Sequence, residues 1–248
     1  MKKYIWMIFI VIIMTLSAYS QDAKSIVEKA NELIRASSSF SEVTMTVVKP
    51  DWSRSYSMKI WSLEPDYSLV LITAPARDKG SVTLKRKKEV WNWLPSVRRT
   101  IKIPPSMMMQ SWMGSDFTND DLVRQSSIVE DYTHKIIGEE EFGGYKCYKI
   151  QLTAKPEAPV VWGKIIMWIS IDGYLELKAD HYDEDGYLIK TMVGSKVKKM
   201  GGRIIPTYWE MIPHEEEGQK TILEYHSMEF NKKMNDNFFS IQNMKRIR

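Results

Sequence analysis

The chain is predicted to be mainly β (α+β). It should form a single large curved antiparallel sheet, an incomplete β-barrel, with an N-terminal helix and a short helical lid over the concave face. Three observations lead there. One segment near the N-terminus carries apolar residues at helical spacing, about eleven later segments alternate with a period of two, and one stretch in the middle breaks that rhythm.

The elements follow in order. Residues 1–20, "MKKYIWMIFIVIIMTLSAYS", open with Lys2 and Lys3 and continue as an apolar run to about Leu16. Ala18 and Ser20 are small residues where a signal peptidase reads, so cleavage is expected at Ser20/Gln21, with export to the periplasm. The other reading, an uncleaved anchor, asks for a longer run of about 20 apolar residues. Cleavage would leave one domain over residues 21–248, and no cysteine stands at the cut to take a lipid.

Residues 22–38 read as a helix, with Ile26, Ala30, Leu33 and Ile34 at helical spacing and Asp22 as N-cap. From residue 42 the period becomes two. "EVTMTVV", "SYSMKIWSL", "YSLVLITA", "SVTLKRK" and "EVWNWLP" are strand candidates separated by Pro, Asp and Gly turns. Residues 95–125 interrupt them with Pro104-Pro105, a methionine cluster and one short helix. Strands resume at residue 131 and run to residue 230, joined by pairs such as Gly143-Gly144, Asp172-Gly173, Asp185-Gly186 and Gly201-Gly202, which suit tight antiparallel hairpins. A curved sheet in meander order needs its concave face covered, and the helix and the 95–125 segment are the elements left to do it.

Composition narrows the function. Across 248 residues, 35 basic side chains face 31 acidic ones, and loss of Lys2 and Lys3 leaves 33 against 31. That balance does not provide the basic stripe of a nucleic-acid binder. The one basic run, residues 85–88, reads as a solvated turn or an anionic-lipid contact. Cys147 has no partner for a disulfide and reads as a quiet strand residue. His134, His181, His214 and His226 show no ligand spacing, "HEEE" at 214–217 lacks a second histidine, and "DEDG" at 183–186 reads as a hairpin turn rather than a calcium loop. No phosphate loop or nucleophile elbow appears, so neither catalytic residues, nor a metal, nor a cofactor is expected.

The informative stretch is "MMMQSWMGSDFTNDDL", residues 107–122. Thr118 can cap a helix whose first turn holds Asn119, Asp120 and Asp121, and Phe117 and Leu122 have the spacing of a hydrophobic staple. Gly114 permits a backbone angle that other residues resist. Met107, Met108, Met109, Trp112 and Met113 would then be either filling beneath a loop or an adaptable apolar surface, since methionine repacks around irregular partners. Upstream, Trp91 and Trp93 alternate and share one sheet face, either in the same hollow or as an exposed patch.

"WNWLPSVRRTIKIPPSMMMQSWMGSDFTNDDL" resembles the signature of the LolA-like outer-membrane lipoprotein-sorting proteins, in a divergent branch. The matching positions are Trp91, Trp93, Pro95, Arg98, Arg99, Ile101, Met113, Gly114, Ser115, Asp116, Phe117, Asp121 and Leu122. The resemblance covers nearly the whole exported chain. It implies an incomplete barrel closed by helices around a cavity for lipid acyl chains, walled by Trp91, Trp93, Met107, Met108, Met109, Trp112, Met113, Phe117 and Leu122. Arg98, Arg99, Gly114, Asp116 and Thr118 would form the lid and hinge, the arginines holding carboxylates such as Asp116 or touching lipid head groups. The expected partners are lipoprotein acyl chains or other lipids, an inner-membrane transporter and an outer-membrane acceptor, with the carrier a monomer. A lipid-binding protein serving an inner-membrane exporter is the alternative, with the same fold and a different cargo.

Overall fold

The computed structural model describes residues 23–108, 110–119, 121, 127–158 and 160–248. The signal-peptide expectation and the Asp22 cap lie outside them. The strands are β1 (Ser38–Lys49), β2 (Trp52–Leu63), β3 (Tyr67–Ala74), β4 (Val82–Arg86), β5 (Glu89–Leu94), β6 (Arg99–Lys102), β7 (Tyr132–Phe142), β8 (Tyr145–Ala154), β9 (Lys164–Ser170), β10 (Glu176–Tyr182), β11 (Leu188–Met200), β12 (Arg203–Pro213) and β13 (Lys220–Phe230). They form one open sheet with the order β6-β5-β4-β3-β2-β1-β13-β12-β11-β10-β9-β8-β7. The pairings between neighbouring strands are antiparallel, so the predicted class holds.

Two details differ from the simple meander. Among the described residues there are thirteen strands, and one of them, β6, lies inside the segment read as irregular. The order is also two meanders rather than one, because β1 pairs with β13 along nearly its whole length, from Ser39 opposite Phe230 to Val48 opposite Lys220. Short β6 has only four residues, too few for alternation to mark it.

The described residues fall into two compact units, with the chain passing between them at 33/34, 125/126 and 189/190. In the first, helix α1 (residues 23–34) lies on β7–β10. Ala23, Ile26, Val27 and Ala30, at i, i+3, i+4 and i+7, are at most 3% exposed and meet Ile150, Leu152, Ile165, Met167 and Ile169. Small alanines let the helix approach the sheet, and each fully buried Ile or Val contributes about 1.5–3 kcal/mol. Gly143 and Gly144, with φ of 60° and 82°, supply the two left-handed residues of the β7–β8 hairpin. Cys147 is fully buried, and burial pushes its thiol pKa up, which suits the quiet role. The 183–186 segment is a turn, with Asp183 Oδ1 accepting from Tyr187 N at 2.8 Å.

In the second unit the β3–β5 strands are covered on both faces. Leu69, Leu71, Val82 and Leu84 point to one side and pack with Phe239 and Met244 of the C-terminal segment. Val70 and Ile72 point to the other side, where Val43, Met45, Val47, Tyr56, Met58 and Trp112 join them. The C-terminal cover is built from a 3-10 turn, Asp236–Phe239, and a helical turn, Ile241–Met244, capped by Asn235 and Ser240.

Candidate ligand-binding site

The second face holds the site. Its cover is the loop 107–119, folded back on itself. Trp112 N donates to Phe117 O at 2.7 Å, Asn119 N to Gln110 O at 3.0 Å, and Ser111 bridges Thr118. Met113 and Gly114 make the reversal with φ of 57° and 77°. A left-handed methionine costs about 1–3 kcal/mol and persists only where its surroundings over-determine it. Here Ser115, 3% exposed, does part of that, with its Oγ donating to Trp112 O at 2.6 Å and accepting from Phe117 N at 3.2 Å.

Two fastenings tie the loop to the sheet, and a third closes it on itself. Trp112, 6% exposed, inserts into the core, and its Nε1 donates to Thr83 Oγ1 at 3.1 Å. Thr83 in turn donates to Asn92 Oδ1 at 2.8 Å. Asp116 accepts from Lys49 Nζ at 2.9 Å and from Thr221 Oγ1 at 2.6 Å, while its own N–H donates to Thr221 Oγ1. Asn119 donates to Met107 O and Gln110 O, closing the loop's two ends. At the far end Thr118 N donates to Asp121 Oδ2 at 2.9 Å and Asp121 N to Thr118 Oγ1 at 3.1 Å. This reciprocal pair is a capping box, and it marks the predicted helix start.

Between the loop and β3–β5 lies a cavity of about 250 Å³. Its apolar wall includes Ile72, Leu94, Ile103, Met107 and Met113, together with the Trp112 ring. Asp78, Thr83, Asn92, Gln110 and Asn119 add polar atoms. Lys85, two residues along β4 from Thr83, is buried as well, with its Nζ donating to Pro65 O at 2.8 Å. Burial pulls its pKa below the usual lysine value, opposed by the charges of Glu64 and Asp66.

The structure sorts the predicted residues. Met107, Trp112, Met113 and Trp93 border the cavity. Trp112 is a core residue as well as a wall. Trp91 is a correction: it packs on the opposite face against the C-terminal cover, with Lys102 Nζ 5.3 Å from its ring. Its register explains this, because Leu84↔Trp91 and Val82↔Trp93 put both tryptophans on the face that Phe239 covers. The Trp93 ring lies toward Lys245, so this residue touches the cavity from behind. Met108 is half-buried and Phe117 serves the loop through its backbone. Met109 and Leu122 lie outside the described residues, and with Leu122 the staple.

The arginines are also corrected in one respect. Asp116 is held by Lys49 and Thr221, not by Arg98 or Arg99. Arg98 sits in the β5–β6 turn with φ of 51°, and Arg99 opens β6 opposite Leu94. Both are exposed. Sequence reasoning missed Lys49, Thr83, Asn92, Asn119 and Thr221. Asn92 between two tryptophans, and Thr83 in a buried strand, were the available signals, since a polar residue on a buried face requires a partner. Among the described residues no cluster of three His, Cys, Asp or Glu is placed to hold a metal, and no helix is long and apolar enough to cross a membrane.

Known proteins resemble this arrangement as follows. No curated protein matches the sequence. A family model described as "Uncharacterized protein" matches residues 64–246. A DUF1329 family protein from Desulfovibrio piger superposes with a TM-score of 0.80 at 23% identity, covering 91% of this chain and 99% of its own. A proposed outer membrane lipoprotein-sorting domain from Vibrio parahaemolyticus gives 0.77 at 22%, covering 92% and 100%. A LolA superfamily protein from Nitrosomonas europaea gives 0.73 at 25%, covering 89% and 98%. The chain therefore belongs to the family matched over residues 64–246, and its fold is the LolA-like one.

Proposed function

We propose that the protein is a non-catalytic periplasmic carrier that takes lipoprotein acyl chains into the cavity beneath the 107–119 loop and helps sort them to the outer membrane. The observation that supports this most is the cavity itself, roofed by Met107, Trp112 and Met113 in a LolA-like fold. An acyl chain gains about 0.8 kcal/mol per buried CH₂, so it leaves a membrane only for another apolar site. A methionine-lined wall repacks around such a chain without demanding one shape.

The cavity's size adds a requirement. At about 250 Å³ it falls below the roughly 300–1,000 Å³ of pockets that engulf drug-sized ligands. Taking in a multiply acylated cargo therefore requires the loop to move outward. That motion draws the Trp112 ring out of its core, while Lys49, Asp116 and Thr221 can exchange their mutual bonds for water at modest net cost, about 0.5–3 kcal/mol each.

Native mass spectrometry with lipid identification after gentle purification tests the reading. Recovery of an acylated lipoprotein fits it. Free phospholipid alone would move the cargo to a lipid exporter, and an empty protein under these conditions would count against any lipid carrier.

A further inference from the structure

We propose that one end of the second unit, where the β1–β2, β3–β4 and β5–β6 turns converge beside the cavity, docks on an anionic lipid bilayer. The inference does not depend on what fills the cavity.

The register places these turns together. Lys49 pairs with Trp52, Leu71 with Val82, and Leu94 with Arg99, so all three connections leave the sheet on the same side. Contacts agree. A Cβ on Gly80 would lie 3.5 Å from the Pro95 ring, and Arg54 feels the charge of Asp78. Cavity residues Asp78 and Ser81 belong to the β3–β4 turn, Leu94 ends β5 at the β5–β6 turn, and Met107, 36% exposed, also lines the cavity.

Two kinds of exposed side chain alternate there. Trp52 is 45% exposed and Val97 is 58% exposed. Around them Arg54, Arg77, Lys79, Arg98 and Arg99 are all exposed. The opposing charges within these turns are only Asp51 and Asp78. The acidic run Glu215, Glu216 and Glu217 lies on the β12–β13 turn, beyond β1, where Glu216 approaches Lys49 at 3.8 Å. Charge at this end is therefore graded, with the cations concentrated toward β6.

That combination matches a headgroup layer. Apolar tips enter the interface, tryptophan favours it, and cations meet anionic phosphates. Each such cation contributes about fivefold to partitioning near an anionic surface, and the effect decays within a Debye length. A protein partner fits less well, because the apolar residues stand singly on separate turns and form no contiguous patch. Docking here would bring the roof of the cavity against the membrane from which a chain is drawn or into which it is delivered.

The test is sedimentation of the purified exported chain with phosphatidylglycerol–phosphatidylcholine vesicles and with phosphatidylcholine vesicles, across salt concentrations. Binding should require the anionic lipid and weaken with salt. R98E/R99E should lower partitioning at least tenfold. V97D should lower it while leaving much of the salt dependence, and circular dichroism should show both variants folded. Wild-type protein that ignores anionic vesicles, or binding that R98E/R99E leaves unchanged, overturns the proposal. Capture of an acidic soluble protein by wild type but not R98E/R99E, without vesicle binding, also overturns it and assigns the surface to a protein. Since vesicle binding is read apart from cargo, a protein that docks yet carries no lipid defeats only the carrier reading.

Discussion

The two faces of β3–β5 are covered in opposite ways. On one, the C-terminal segment seals the strands with rings and aliphatic chains. Phe239 stacks on Tyr67 at 5.6 Å, Phe238 meets Trp61 at 5.7 Å, and Met244 is fully buried. On the other, the 107–119 loop buries one ring, Trp112, is otherwise fastened by hydrogen bonds and an ion pair, and leaves a cavity beneath it. Apolar packing is lost outright when a cover lifts, whereas polar fastenings are largely replaced by water. The first face is sealed by apolar packing throughout, and the second is held by polar bonds around a single buried ring.

Substitutions can break or sharpen this contrast. The largest effect should come from Phe239→Ala. The side chain is fully buried, so removing it should cost about 3–5 kcal/mol in urea unfolding. A loss below 1 kcal/mol would mean that the C-terminal segment is not a core element. Asp116→Ala should cost less, about 1–3 kcal/mol, and locally. Hydrogen exchange should rise across residues 107–119 while the midpoint of global unfolding moves little. Equal loss of protection throughout the sheet would show that the loop is ordinary core.

Thr118→Ala removes half of the capping box and should cost about 1 kcal/mol, seen as faster exchange at Asp121. The smallest effect concerns Lys85. Its folded pKa is lowered by burial, so the unfolded chain binds more protons between that value and the ordinary lysine value. Stability should therefore rise with pH through that window. Lys85→Met should flatten the rise, and an unchanged slope would place the titration elsewhere.

Much of this fold was legible in the sequence. Alternation in "VTMTVV" marked a strand with one apolar face, and observed burial in β1 follows it, whereas "SLVLITA" is a short apolar run, as a strand covered on both faces requires. Thr118 was legible as a cap because a hydroxyl three residues before an acidic side chain has few other local uses. The C-terminal cover was not. Its turns are too short for periodicity, and only Asn235 and Ser240 as caps, with Phe238 and Phe239 between them, hinted at an apolar seal. The face taken by Trp91 and Trp93 was also out of reach, since alternation fixes that they agree and not which side they choose. The depth of Trp112 carries a practical consequence. Trp112→Asp would put a charge into a core that includes Val43, Met45 and Ile72, and should unfold this face as well as empty the cavity. Met113 is the cleaner probe, because it borders the cavity and is only partly buried.

The central claim is that acyl chains lie under this loop. Met113→Asp, purified gently beside wild type and weighed by native mass spectrometry, tests it most directly. The account predicts that wild type retains acylated cargo and that the variant loses it while keeping its unfolding midpoint within a few degrees. A folded variant that retains the same cargo would contradict the claim.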